Sequence, residues 1–191
     1  AIRCARMLAE IDIAWFEEPM KADDVAAHVE LSRHSSVPIA VGESMYSISQ
    51  FKDYMQAGAA SIIQVDVARI GGITPWLKTA HMAEAFNLAV CPHFLMELHV
   101  PLVRAIPNGT WREYIPQLDG VTTAGMAMVD GHGIPSDDPG LGISWDWEKV
   151  VSLQLVSIEV TTGEYRAVGP VSQGGQSGVF SPLALSTQAA M

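Results

Sequence analysis

Residues 61–93 read SIIQVDVARIGGITPWLKTAHMAEAFNLAVCPH, and this stretch decides the fold. Residues 61–65 (SIIQV) form a short apolar run of strand type that stops at Asp66. Gly71-Gly72 marks a loop, and residues 74–86 carry a helix pattern. Residues 88–91 are the next apolar run, which stops at Pro92-His93. One strand–helix–strand unit thus ends each strand on a group able to carry chemistry, first Asp66 and then His93.

The unit repeats on both sides. Upstream, residues 11–16 (IDIAWF) predict a buried strand ending at Glu17-Glu18-Pro19, and residues 23–35 a helix with Asp23 as N-cap. Residues 37–41 (VPIAV) predict a strand ending at Gly42-Glu43-Ser44, followed by a helix over 49–57 that Gly58 stops. Downstream, residues 97–105 predict a helix stopped by Pro107-Asn108-Gly109, and residues 111–114 (WREY) a short strand containing Glu113. The strand-end residues Glu17, Glu43, Asp66, His93 and Glu113 are 26, 23, 27 and 20 positions apart, enough each time for one strand, one helix and short loops.

Strands alternating with helices imply a parallel sheet, and near-continuous apolar strands imply one covered on both faces. An active residue at the C-terminal end of every successive strand is how a (β/α)8 barrel of the TIM type builds its site. A doubly wound open sheet would gather its ligand groups at one switch point instead. The expected fold is therefore α/β, a partial (β/α)8 barrel.

The ends of the chain read differently. It opens Ala-Ile-Arg-Cys, with no initiator Met and no signal-peptide pattern, as though a helix had been cut open, so an upstream part is expected to be missing. From Val121 the character changes: residues 122–130 suggest a strand or hairpin, and residues 135–142 (PSDDPGLG) a loop. Residues 152–160 allow one more strand, residues 169–178 are rich in Gly, Ser and Gln, and 151–191 is expected to be a tail of uncertain order.

The 191 residues are 49% apolar and 17% charged, a globular composition. With 11 Lys+Arg against 21 Asp+Glu the net charge is −10, and no basic stripe offers itself to nucleic acid. No apolar run reaches the roughly 18–20 residues of a membrane span. Two cysteines, Cys4 and Cys91, make neither a disulfide framework nor a metal motif, and a cytoplasmic setting is expected.

Taken singly, Glu17, Glu18 and Glu43 read as helix caps or rim charges, but crowding Glu17, Glu43 and Asp66 at one mouth is costly unless a proton or a cation joins them. Oxygen-only donors select a hard cation, of which Mg²⁺ is the one that leaves positions open for water or substrate. His93 reads either as a structural or helix-capping histidine or as a general base whose imidazole a carboxylate orients, for which Asp66, one strand earlier, is a geometrically reasonable partner. Glu113 either donates a hydrogen bond when protonated or is a rim charge. His28, His34, His81, His99 and His132 read as packing or surface residues, and Cys91 as a buried one.

Taken together, Trp15-Phe16-Glu17-Glu18-Pro19, Val41-Gly42-Glu43-Ser44, the run from Gln64 to Gly72 and Cys91-Pro92-His93 resemble the enolase superfamily, in particular its mandelate racemase and muconate lactonizing group. The resemblance covers about residues 1–148. It implies that Glu17 and Glu43 bind Mg²⁺, that Asp66 pairs with a catalytic His93, and that Glu113 hydrogen-bonds the substrate carboxylate. It numbers these strands as about the fourth to the eighth of the barrel. A third metal ligand, a Lys-x-Lys acid/base strand and an N-terminal capping domain are then expected upstream of Ala1. The implied chemistry is removal of a proton α to a carboxylate, with the enediolate charge balanced by Mg²⁺.

The stretch Cys91–His99, with Glu113-Tyr114 and Gly140-Leu141-Gly142, is similar to acid-sugar dehydratases of the talarate/galactarate type. A dehydratase acting on a small acid-sugar carboxylate is therefore expected, as a homo-oligomer when intact. A racemase or epimerase on the same scaffold is the alternative, and an inactive truncated barrel piece is the other.

Overall fold

Four parallel strands form in chain order: β1 (Phe16–Glu17), β2 (Ile39–Val41), β3 (Ile62–Ile63) and β4 (Ala89–Val90). They pair β1-β2-β3-β4, with Glu17 opposite Ala40, Val41 opposite Ile63, and Ile63 opposite Val90. The structure is a computed structural model and describes residues 1–153, 157–161 and 164–168. It separates into two units, Ala1–Ser144 and Trp145–Met191.

The first unit opens with α1 (Ile2–Ala9), and α2 (Val25–His34), α3 (Ile48–Ala57), α4 (Ile73–Ala85) and α5 (Met96–Arg104) follow the four strands. Strand order follows chain order without a reversal, so these strands have no switch point of the doubly wound kind. Helix α2 packs on α3 and α3 on α4, as successive helices do on the outside of a barrel. Leu31, Phe51, Tyr54 and Trp76 from the helices meet Ile39, Val41, Ile63 and Val90 from the strands in one core. All three residues of β2 are buried, which explains its uninterrupted apolar sequence.

Helix boundaries follow local chemistry. Ser47 and Gln50 form a capping box at the start of α3, and Gly58 ends it at φ 65°, a left-handed conformation glycine adopts without a Cβ penalty. The N-cap of α2 is Asp24, not Asp23: the Asp24 carboxylate accepts from the Ala27 amide at 2.9 Å.

Two strand expectations need correction. In residues 11–16 only Phe16 is strand, because the amides of Glu10, Ile11 and Asp12 turn back onto the last carbonyls of α1 and Asp12 sits at φ 53°. Residues 111–114 form no ladder. Beyond α5 the chain touches β4 through a single parallel bridge, Val90 to Gly109, with Val90 N–H bonded to Asn108 and Thr110 N–H to Val90. Strand β4 is two residues long, so its pairing groups are used up before Trp111. The unit is thus an α/β arrangement with four parallel strands in chain order and one further bridge at the β4 edge.

Three short strands follow: β5 (Thr122–Ala124), β6 (Ala127–Val129) and β7 (His132–Ile134). β6 and β7 pair antiparallel around Asp130-Gly131, both at positive φ, as a type I′ hairpin turn demands. Strand β8 (Ser144–Trp145) runs across the boundary between the units. The second unit contains α6 (Trp147–Ser152), capped by Asp146, and an antiparallel pair, β9 (Ser157–Thr161) with β10 (Glu164–Val168). The strand expected over 152–160 is helix at Ser152 and strand from Ser157, and residues 154–156 lie outside the described residues, as does the Gly/Ser/Gln-rich stretch 169–178. Among the described residues no helix is long and apolar enough to cross a membrane.

Candidate active site

Because the four strands are parallel, their C-terminal ends share one edge of the sheet. Glu17 is the last residue of β1, Glu43 lies two residues beyond β2, and Asp66 and His93 each lie three beyond β3 and β4. Glu43 is brought there by Gly42, at φ 150°, where the chain passes so close to β3 that a Cβ would lie 2.6 Å from the Gln64 backbone.

Asp66 and His93 are in direct side-chain contact. His93 Nδ1 lies 2.9 Å from Asp66 Oδ2. Asp66 Oδ1 accepts from the amides of Ala68 and Arg69 at 2.7 and 3.2 Å, so the carboxylate is held at both oxygens. On its other side the His93 imidazole presents Nε2 to Glu43 Oε2 at 3.4 Å. Arg69 closes the ring: its guanidinium bonds the Glu43 carbonyl and stands 3.6 Å from Glu43 Oε1 and 3.8 Å from Asp66 Oδ2. Two carboxylates, one imidazole and one guanidinium therefore meet at three consecutive strand ends.

The structure thus brings Glu43, Asp66 and His93 into direct contact. Glu17, on the neighbouring strand end, accepts from the indole N–H of Trp15 at 3.0 Å. Glu113 is joined to the His93 loop: its Oε2 accepts from the Phe94 amide at 2.8 Å, so it is an acceptor here. Glu113 also faces a cavity of about 470 Å³ between residues 110–114 and the β6–β7 hairpin. Met96, Trp111 and Met126 help to line that cavity, whereas Glu17, Glu43, Asp66 and His93 do not.

Glu17 and Glu43 offer carboxylate oxygens on adjacent strand ends, a donor chemistry that suits a hard divalent cation. Among the described residues no three His, Cys, Asp or Glu side chains are arranged so that they could hold a metal ion by themselves. The residues present therefore fit part of a metal's coordination sphere.

Three residues escape the motif reading. Arg69 stands within a motif, but nothing in one dimension ties it to Glu43. Glu18 grips Ser44, whose hydroxyl and amide donate to its two oxygens at 2.7 and 3.2 Å. His99, fully buried, accepts from the Val67 amide at Nε2 (3.0 Å) and donates from Nδ1 to the Phe94 carbonyl (2.6 Å). Burial pushes its pKa down to about 4 from 6.5, against the opposing pull of the Phe94 carbonyl. The available signal for His99 is helical spacing: Met96, Val100 and Val103 lie on the same buried face of α5.

Residues 1–150 match the family model described as Enolase C-terminal domain-like, and the chain belongs to that family. It is 33% identical to the L-talarate/galactarate dehydratase of Salmonella typhimurium over 144 residues, 75% of this chain and 36% of that enzyme. Among solved structures it is similar to a racemase from Streptomyces coelicolor with bound magnesium (TM-score 0.76, 34% identity, 80% of this chain and 42% of that one). It is also similar to an L-talarate dehydratase from Polaromonas complexed with Mg and L-glucarate (TM-score 0.74, 33% identity, 88% and 44%). The chain spans well under half the length of each of these proteins.

Proposed function

We propose that this chain carries the C-terminal catalytic part of a Mg²⁺-dependent acid-sugar dehydratase, with residues 1–150 supplying the site. The observation that supports this best is the contact of His93 with Asp66 on one side and Glu43 on the other, at consecutive strand ends. Glu17 and Glu43 would hold the metal, which when bound supplies positive charge beside the substrate carboxylate.

The chain's own residues have separable tasks. Asp66, pinned through Oδ1, accepts a hydrogen bond from His93 Nδ1–H and so leaves Nε2 with its lone pair free to act as base. Nε2 is then placed to take a proton from carbon or, once protonated, to give it to a departing hydroxyl. Glu113, joined to the His93 loop through the Phe94 amide, is suited to hydrogen-bond a second substrate oxygen. The Arg69 guanidinium offsets the charge of Glu43 and Asp66 and keeps both in place.

The overall change is loss of the α-proton and of the β-hydroxyl as water, giving a 2-keto acid. A racemase reading uses the same atoms up to proton removal and returns the proton to the opposite face; similarity to the S. coelicolor racemase favours it. Product analysis decides between them: full-length protein with Mg²⁺ and acid sugars yields a keto acid in the first case, and only the epimeric acid in the second. The absence of both, with no α-proton exchange, would refute the common reading.

A further inference from the structure

We infer that His99 is a positioning residue that sets the geometry of the Asp66–His93 pair by tying the loop after β3 to the loop after β4. The inference rests on the acid/base reading of that pair. His99 touches neither Asp66 nor His93 by hydrogen bond; it holds the residue that follows each. Its Nε2 accepts from the amide of Val67, next to Asp66. Its Nδ1 donates to the carbonyl of Phe94, next to His93. One imidazole thus fixes the spacing of two loops that come from different strands.

The ring can do this in only one protonation state and one tautomer. Val67 N–H is a donor, so Nε2 must present its lone pair; Phe94 C=O is an acceptor, so Nδ1 must carry the proton. Burial in an apolar setting keeps the ring neutral. It is fully enclosed and lies 5.9 Å from the Trp76 ring, whose own N–H is bonded to the Val65 carbonyl at 3.0 Å.

The loop it holds is one that needs holding. Phe94 and Leu95 lie at φ 56° and 32°, left-handed conformations that side chains larger than glycine resist. The Phe94 peptide groups are gripped from two sides, the amide by Glu113 and the carbonyl by His99. A hydrogen-bonded path therefore runs from Glu113 through Phe94 and His99 to Val67, passing beside both members of the pair.

The test uses the full-length protein and the variants His99→Asn and His99→Gln, which approximate the ring's two nitrogen positions one at a time. Asn reaches only the Phe94 carbonyl and Gln only the Val67 amide. Three properties are measured below each variant's melting temperature: α-proton exchange of an acid-sugar substrate as kcat and KM across pH, circular dichroism, and the ¹⁵N NMR signals of His93. A positioning role predicts folded variants whose kcat falls on the order of 10- to 100-fold with KM little changed. It also predicts a displaced His93 Nδ1 signal and a shifted pH–rate limb. Folded variants with unaltered kcat and an unaltered His93 signal overturn it, and loss of folding in both variants assigns His99 to stability alone and overturns it equally. If the unsubstituted protein exchanges no α-proton, the acid/base reading fails; the His93 signal still decides whether His99 orients it.

Discussion

The carboxylate of Asp66 lies 2.9 Å from His93 and is itself only 2% exposed, whereas the imidazole keeps 14% of its side chain open to the site. In the proposed chemistry the buried partner orients and the open partner reacts. Asp66→Asn separates orientation from packing. The amides of Ala68 and Arg69 demand an oxygen at the Oδ1 position, so the new amide nitrogen must face His93 Nδ1. Nδ1 then accepts, Nε2 carries the proton, and the base is in the wrong tautomer. We expect α-proton exchange to fall about 10²- to 10⁴-fold, with the melting temperature nearly unchanged. Exchange by NMR in D₂O checks this.

Gly42 is a backbone requirement of the site. At φ 150° and with the Gln64 backbone 2.6 Å from where a Cβ would sit, Gly42→Ala is strained both by conformation and by contact. It should cost roughly 3 kcal/mol or more. Gly58→Ala, at φ 65° with open space around it, should cost about 1–2 kcal/mol. Urea denaturation of the two variants gives the comparison.

His99 makes stability depend on pH in a defined direction. Its folded pKa is depressed to about 4 from an ordinary 6.5. Between those values the unfolded chain binds a proton that the folded chain refuses. The stability contributed by the neutral ring is therefore complete above about pH 6.5, is lost as pH falls toward 4, and changes no further below that. The total is roughly 3 kcal/mol at 1.36 kcal/mol per unit. Chemical denaturation at several pH values should show this slope in the unsubstituted protein and a shallower one in His99→Gln.

Ser44→Ala breaks the hydroxyl arm of the link to Glu18 while leaving the amide arm. Glu18 and Ser44 each stand next to one of the two proposed metal ligands, so the link sets how those ligands face each other. Mg²⁺ affinity, read by calorimetry on the full-length protein, should weaken roughly 10-fold. Equal affinity would show that Glu43 is placed without that link.

The strand order and four of the five strand ends are legible in the sequence, because each apolar run stops at a polar residue or at Pro92-His93. Residues 111–114 are not, since pairing depends on the length of the partner strand, and β4 is too short to extend its ladder beyond Thr110. The first half of IDIAWF misleads for a related reason: hydrophobicity cannot tell a strand from a turn folded back on a preceding helix. Glu17, Glu43, Asp66 and His93 are legible by position. Glu18, Arg69 and His99 are not, because their partners, Ser44, Glu43, Val67 and Phe94, lie on other segments or in backbone groups that carry no sequence signal. Glu113 is expected on a strand that does not form, and its grip on the Phe94 amide is a property of the folded loop.

The central claim is that His93 moves a proton at the α-carbon of a carboxylate. The most direct test is to incubate full-length protein with Mg²⁺ and a panel of acid sugars in D₂O and follow the α-proton by NMR. The account predicts deuterium at the α-carbon of at least one acid sugar, lost in His93→Ala and on chelation of the metal, with a 2-keto acid accumulating alongside. Exchange that persists undiminished in His93→Ala, or none with any acid sugar, would contradict it.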